Sequence, residues 1–340
     1  MATATTQLAL VADIGGTRSR YALTDPADPR PRLLHPRSVP NAGFASLQAS
    51  AGAYLADVGL RPLRAMFAVA APMTADLIQL TNHAWSFSRA ELQQALGLTE
   101  LRLLNDFAAV AWAVPALRAK DRVSLHGRDD AELQGPVSVL GPGTGLGVAQ
   151  LVGSRVRGWQ VIDTEGGHAA FAPIGAQERA IVAWLEAQLG RVSNERVLSG
   201  AGLARIDAAV RGATDPTASM PVALREPAAI LRAALKQQEP DACCALRRFC
   251  AVLGSVAGDI ALIHGARSVV IAGGIVPRFI PLLRNSAFRE RFLAKGRLAD
   301  RLATITIQIV THPAPGLLGA AVALRATDGR SESGSDQGRS

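Results

Sequence analysis

Two glycine-threonine turns and a small set of carboxylates hold the chemistry open to this 340-residue chain. The first turn is Asp13-Ile14-Gly15-Gly16-Thr17-Arg18. Paired glycines let backbone N–H groups approach phosphate oxygens with no Cβ in the way, and Thr17 adds a hydroxyl donor. Asp13, at the end of an apolar run, is placed to hold a hydrated Mg²⁺, an ion that keeps several waters and uses few carboxylates. An ordinary hairpin turn that happens to contain glycines has the same sequence. The second turn, Gly141-Pro142-Gly143-Thr144-Gly145-Leu146-Gly147, is denser in glycine. It fails the dinucleotide pattern G-x-G-x-x-G, because Leu146 stands where the third glycine belongs, and it leads into a strand-like run instead of a helix. None of the three lysines, Lys120, Lys236 and Lys295, follows a glycine, so there is no P-loop. What remains is one polyphosphate clamped by two Gly-Thr hairpins from two domains.

Asn105-Asp106 sits where an apolar strand meets an apolar helix. Carboxylates at the carboxyl ends of strands in α/β sheets face the ligand crevice, and phosphoryl transfer to a hydroxyl needs a base to take its proton. A plain helix N-cap accounts for the same pair. Glu165-Gly166-Gly167-His168 and Glu195 add groups able to grip neighbouring hydroxyls and to penalise a wrong stereoisomer. Alternatively, His168 is a satisfied core histidine and Glu195 favours a helix start. Ala272-Gly273-Gly274 closes a strand and permits close approach by a nucleoside, although a strand-to-helix connection needs no ligand.

The elements that must position these groups follow from periodicity. Strands are expected at 8–14, 20–24, 64–71, 101–104, 137–140, 268–272 and 303–310, and loop at the Pro- and Arg-rich 25–40. Helices are expected at 44–60, at 88–96 behind a Ser88/Glu91 capping box, at 106–119, 176–189, 194–210, 226–236, 241–264, near 278–284, and at 316–326. This alternation argues for an α/β layer architecture. Both Gly-Thr turns follow an apolar strand and share the spacing G-T-x-x-x-apolar-A, which suggests a duplicated fold. Residues 328–340 are Ser/Gly-rich and read as a disordered tail.

Composition bounds the class. With 49% hydrophobic and 19% charged residues, the chain can build two ordinary cores. No export signal or membrane span is visible, and Cys243, Cys244 and Cys250 crowd one helix without disulfide or zinc spacing, which fits a cytoplasmic setting. The net charge of +8 is scattered, with 4% aromatic residues and no basic cluster, so nucleic acid is not an expected partner.

In this order the segments resemble the bacterial glucokinase family, of the hexokinase/actin-like ATPase superfamily. The resemblance rests on Asp13 to Thr17, Thr81-Asn82-His83-Ala84-Trp85, Asn105-Asp106-Phe107, Gly141 to Gly147, Glu165 to His168, Glu195 to Gly200, Ala272 to Phe279 and Pro315 to Gly319, and it spans about residues 8 to 325. It implies a ribonuclease H-like/actin-like ATPase fold of two domains with an interdomain cleft. The small α/β domain would be 1–117, completed by a C-terminal helix at about 313–327, and the large α+β domain 118–312. It further implies a homodimer, ATP with Mg²⁺ as donor, and glucose phosphorylated on its 6-hydroxyl. Asp106 would then be the catalytic base, with Asn105, Glu165, His168 and Glu195 on the sugar. Gly15, Gly16, Thr17, Gly143, Thr144 and Gly145 would hold phosphates, Asp13 the Mg²⁺ through water, and Gly273 and Gly274 would face adenosine. Ala201 departs from the family, which usually has proline there. The sugar kinases and repressors with a zinc-binding cysteine cluster match less well, because no cysteine lies near His168.

Three rival functions stay in view. One is a kinase for another hexose or with polyphosphate as donor. Another is a non-catalytic sugar sensor, against which the intact base and phosphate turns speak. The third is an actin-like filament ATPase, which would have no use for the carboxylates on the sugar.

Overall fold

The structure is a computed structural model that describes residues 8–71, 77–80, 83–127, 132–215 and 222–334, with side chains described to residue 326. The chain divides into two compact units, Met1–Arg118 with His312–Ser340, and Ala119–Thr311.

In the first unit, β1 (Ala9–Ile14), β2 (Arg18–Thr24) and β3 (Leu34–Pro40) form an antiparallel meander. On the other side of β1, β4 (Arg64–Val69) runs parallel to it. A short ribbon of β5 (Leu77–Gln79) and β6 (Ser86–Ser88) precedes β7 (Glu100–Asn105), which adds parallel to β4. The sheet order is β3-β2-β1-β4-β7. Helix α1 (Leu47–Val58) starts at Ser46, whose hydroxyl accepts from the Ala49 N–H at 3.1 Å, and stops at Gly59 in the left-handed conformation (φ 66°). It lays Leu47, Ala51 and Tyr54 on one face of the sheet. Two further helices are α2 (Arg89–Ala95), behind the expected Ser88/Glu91 capping box, and α3 (Asp106–Ala113).

The second unit repeats this plan. β8 (Arg122–His126) is followed by a meander of β9 (Val137–Pro142), β10 (Leu146–Ser154) and β11 (Gly158–Thr164). The helical part comprises α4 (Gly175–Leu189), α5 (Asn194–Val197), α6 (Gly200–Ala208), α7 (Pro227–Leu235) and the long buried α8 (Pro240–Ile263). Then come β12 (Ser268–Ile271), α9 (Ile280–Arg284), α10 (Phe288–Leu293), α11 (Ala299–Ala303) and β13 (Thr306–Val310). The sheet order β11-β10-β9-β12-β13-β8 is that of the first sheet with β8 added at the edge. Two fully buried carboxylates anchor the helices. Glu178 of α4 takes both Arg291 guanidinium nitrogens at 2.9 and 3.0 Å, and Asp207 of α6 pairs with Arg211 and Arg225.

The chain ends in α12 (Pro315–Gly334), which belongs to the first unit. Its Leu317, Ala320, Ala321 and Leu324 cover Val11, Ala22 and Met66 on the face opposite α1. It also crosses α3 so closely that a Cβ on Gly319 would overlap the Ala109 carbonyl. This helix runs to Gly334, past the point where the sequence suggests a tail, and residues 335–340 lie outside the described residues.

Among the differences from the sequence reading, three have a clear local cause. Part of 25–40 is strand β3: mostly exposed and at the sheet edge, it tolerates Pro36 and Pro40 because an edge need not pair every N–H. The helix expected over 194–210 breaks at Leu198 (φ −114°, ψ 63°) and restarts behind Ser199, whose hydroxyl accepts from the Gly202 N–H. The helix from 106 stops at Ala113 and passes into a 3-10 turn carrying Pro115. Thr81 and Asn82 lie outside the described residues. Among the described residues, no helix is long and apolar enough to cross a membrane.

Candidate active site

In the first unit the site residues gather at the carboxyl ends of parallel strands. Register pairs Ile14 with Val69 and Val69 with Asn105, so the Gly15-Gly16-Thr17 turn and Asn105-Asp106 leave the sheet at one level. They are two strands, or about 10 Å, apart. Asn105 caps α3: its Oδ1 accepts from the Phe107 and Ala108 N–H groups at 2.8 and 3.2 Å. That leaves its Nδ2 to donate. The cap is real, and it fixes Asp106 as the first residue of the helix, where the dipole favours a carboxylate. The cap therefore falls to Asn105 and not to Asp106.

Asp13 is nearly buried, and its Oδ2 accepts from Arg20 Nη1 at 2.9 Å. Burial pushes its carboxyl above the ordinary range, and the Arg20 guanidinium pulls it back. The start of α12 stands against it, since a Cβ on Gly316 would lie 3.0 Å from Asp13 Cγ. One carboxylate oxygen is committed to Arg20, which leaves the other for a cation's water shell. That fits Mg²⁺, whose other ligands would be phosphate and water. The turn itself is closed by the Gly15 N–H donating to the Arg18 carbonyl at 3.1 Å. Sequence reasoning missed Asn41, fully buried, bonded twice to this turn and once to Ser19 just past it. A single asparagine at the end of a Pro- and Arg-rich stretch gives no sign of such contacts.

In the second unit the predicted residues converge on the second turn. The Gly143 N–H donates to the Gly145 carbonyl at 2.8 Å, and the Gly200 N–H donates to the Gly143 carbonyl at 2.8 Å. Glu195, in the short α5, accepts from the Leu146 N–H through Oε2 at 2.9 Å. It lies so close that a Cβ on Gly145 would overlap its carboxylate. The Gly166–His168 turn rests on the same strand, because a Cβ on Gly167 would overlap the Leu146 carbonyl. Glu165 and His168 are exposed, with Oε2 and Nε2 3.8 Å apart, so His168 is not a core histidine. Gly273 adopts φ 88°, and its absent Cβ leaves room for the Pro142 carbonyl, 2.5 Å from where that atom would be. The Ala272 N–H donates to the Leu140 carbonyl at 2.8 Å. The Gly273-Gly274 turn therefore lies beside the Gly143-Thr144-Gly145 turn. Within each unit the predicted residues come together at one end of its sheet.

This arrangement has a family. The model of the family described as Glucokinase matches residues 10–327. A glucokinase of Tolumonas auensis is 40% identical over 317 residues, covering 93% of this chain and 96% of the relative. Among solved structures, a glucokinase from an Antarctic psychrotroph superposes with a TM-score of 0.80 at 35% identity, covering 94% of this chain and 99% of that one. A ROK family glucokinase from Streptomyces griseus, solved with glucose and AMPPNP, gives a TM-score of 0.63 at 21% identity, covering 94% and 99%, a likeness of fold alone. The two α/β units with their mixed sheets are the fold of the actin-like ATPase superfamily. From its duplicated sheets to its glycine-threonine turns, the chain belongs to the glucokinase family.

Proposed function

We propose that the chain transfers the γ-phosphoryl group of ATP to the 6-hydroxyl of D-glucose, with Asp106 accepting the hydroxyl proton. The observation that carries this reading is the position of Asp106, first residue of α3 at the same sheet end as the Gly15–Thr17 turn. A base there lies on the side from which the first unit would meet a phosphate chain. Family membership supports ATP-dependent kinase chemistry, and the glucokinases that are 35% and 40% identical support glucose.

Each residue has a role its bonding permits. Asn105 presents only its Nδ2 donor to a sugar oxygen, because its carbonyl is spent on the cap. Glu195 keeps one carboxylate oxygen for a sugar hydroxyl while the other holds Leu146. Glu165 and His168 complete the grip, and mismatched hydroxyls would leave these groups unpaired. The two Gly-Thr turns donate backbone N–H groups to phosphate oxygens, and Gly273 and Gly274 border the adenosine. Asp13 would hold Mg²⁺ through its water shell, and the ion would supply charge neutralisation to the phosphates. Orientation of the 6-hydroxyl and removal of its proton then fall to Asn105 and Asp106.

The test is ATP consumption in a coupled assay with and without glucose, followed by mannose, fructose and an amino sugar, each with ATP or polyphosphate. Consumption that depends on glucose and ATP supports the reading. Consumption indifferent to sugar sinks it, and a preference for another pair replaces its substrates.

A further inference from the structure

Asn41 is fully buried, yet it lies outside every motif that points to chemistry. Its Nδ2 donates to the Gly15 carbonyl at 2.8 Å, its Oδ1 accepts from the Ser19 hydroxyl at 2.8 Å, and its backbone N–H donates to the Thr17 carbonyl at 2.9 Å. The amide orientation is unambiguous, because a carbonyl only accepts and so must face the NH₂ group. One side chain therefore reaches both flanks of the Gly15-Gly16-Thr17 turn, and the same residue's main chain takes its tip.

Peptide planarity turns these bonds into a directional constraint. In a trans peptide the C=O and the following N–H point in opposite directions. Holding the Gly15 carbonyl toward Asn41 thus aims the Gly16 N–H away from Asn41, and holding the Thr17 carbonyl does the same for the Arg18 N–H. The Gly16 N–H has no acceptor among the described residues. Glycine's conformational freedom would otherwise let this peptide rotate.

We propose that Asn41 is a positioning residue for nucleotide binding: by pinning the Gly15 and Thr17 carbonyls from beneath, it presets the direction in which the first Gly-Thr turn offers its N–H groups to a phosphate. This rests on the assignment of that turn to the nucleotide.

The experiment measures Mg-ADP binding by calorimetry and KM for ATP and for glucose in the wild type, Asn41→Ala, Ser19→Ala and a control, Tyr54→Phe. The control removes another side-chain bond in the same unit, from the Tyr54 hydroxyl to the His35 carbonyl at 3.0 Å, and keeps the ring in place. Asn41→Ala is expected to weaken Mg-ADP and raise KM for ATP about tenfold, the scale of one lost hydrogen bond, while KM for glucose stays within twofold. Ser19→Ala, which frees the amide to swing, is expected to shift the same constants by a smaller factor, and it carries the test if Asn41→Ala does not fold. Equal Mg-ADP affinity in the wild type and the Asn41 and Ser19 variants overturns the proposal, as does an equal loss in Tyr54→Phe. A wild type that does not bind Mg-ADP overturns the nucleotide assignment and this proposal together.

Discussion

In the first unit a buried neutral amide steadies the glycine turn, whereas in the second a carboxylate on a short helix holds the equivalent turn. The strand order around the two turns is the same. The difference lies in what was added to each sheet. The first unit surrounds its sheet with apolar faces, and its Asp13–Arg20 ion pair is at the candidate site. The second carries a set of helices whose ends are tied by Glu178 and Asp207, both fully buried. A duplicated topology thus fixes where a turn sits, and the segments inserted around it decide what holds it. In the second unit the holding group, Glu195, is also a candidate for the substrate.

The comparison can be broken most sharply at the base. Asp106→Asn is expected to lower turnover by about 10²–10⁴-fold at little cost to thermal unfolding, since Asn keeps the side chain's shape. Near-full turnover would remove the first unit's claim to the proton transfer. Next is the contrast in buried charge: Glu178→Ala strands the Arg291 guanidinium and is expected to cost about 3–5 kcal/mol in urea unfolding. Glu100→Ala, which opens a partly exposed pair with Arg64 in the first unit, is expected to cost under about 1 kcal/mol. Similar losses would erase the distinction between the units. A smaller effect compares the turns directly. Gly145→Ala displaces the Glu195 carboxylate, and kcat/KM should fall about tenfold, one lost hydrogen bond. Gly15→Ala meets only the Arg18 carbonyl at 3.4 Å and should fall less.

The smallest effect concerns pH. Burial holds the imidazoles of His264 and His126 below the ordinary value of 6.5, with Arg289 adding to the effect at His126. The unfolded chain therefore takes up protons at a higher pH than the folded one. The stability due to neutral histidine is full above about pH 6.5 and is lost as the pH falls through that value. The melting temperature should drop between pH 7.5 and 5.5, and less steeply in His264→Asn, which can still meet the Ser138 hydroxyl bonded to His264 Nδ1 at 3.0 Å. An equal slope in the variant would move the effect elsewhere.

Much of this was legible in the residues, for local reasons. Gly15-Gly16 between two apolar runs is a hairpin signal, and the Ser88/Glu91 box and the Asn105 cap declare helix starts by their own chemistry. The echo between the Gly-Thr turns announced the repeated sheet. Illegible parts depend on distant partners. β3 reads as loop because prolines suit an edge that only the assembled sheet defines. Ser199 is an N-cap of the same type as Ser88, but the apolar run on both sides of it masks the break. Asn41 depends on carbonyls 24 and 26 residues earlier in the chain, and the Glu195 contact spans 49 residues.

The crossing of α12 over the first sheet has a consequence for biosynthesis. Residues 119–311 form an unbroken stretch, so everything the second unit needs leaves the ribosome in one piece. The unit translated first is the one made to wait, with Val11, Ala22 and Met66 uncovered until Leu317 to Leu324 emerge. During that interval chaperones have an apolar sheet face to guard, and the half of the molecule begun earliest is finished last.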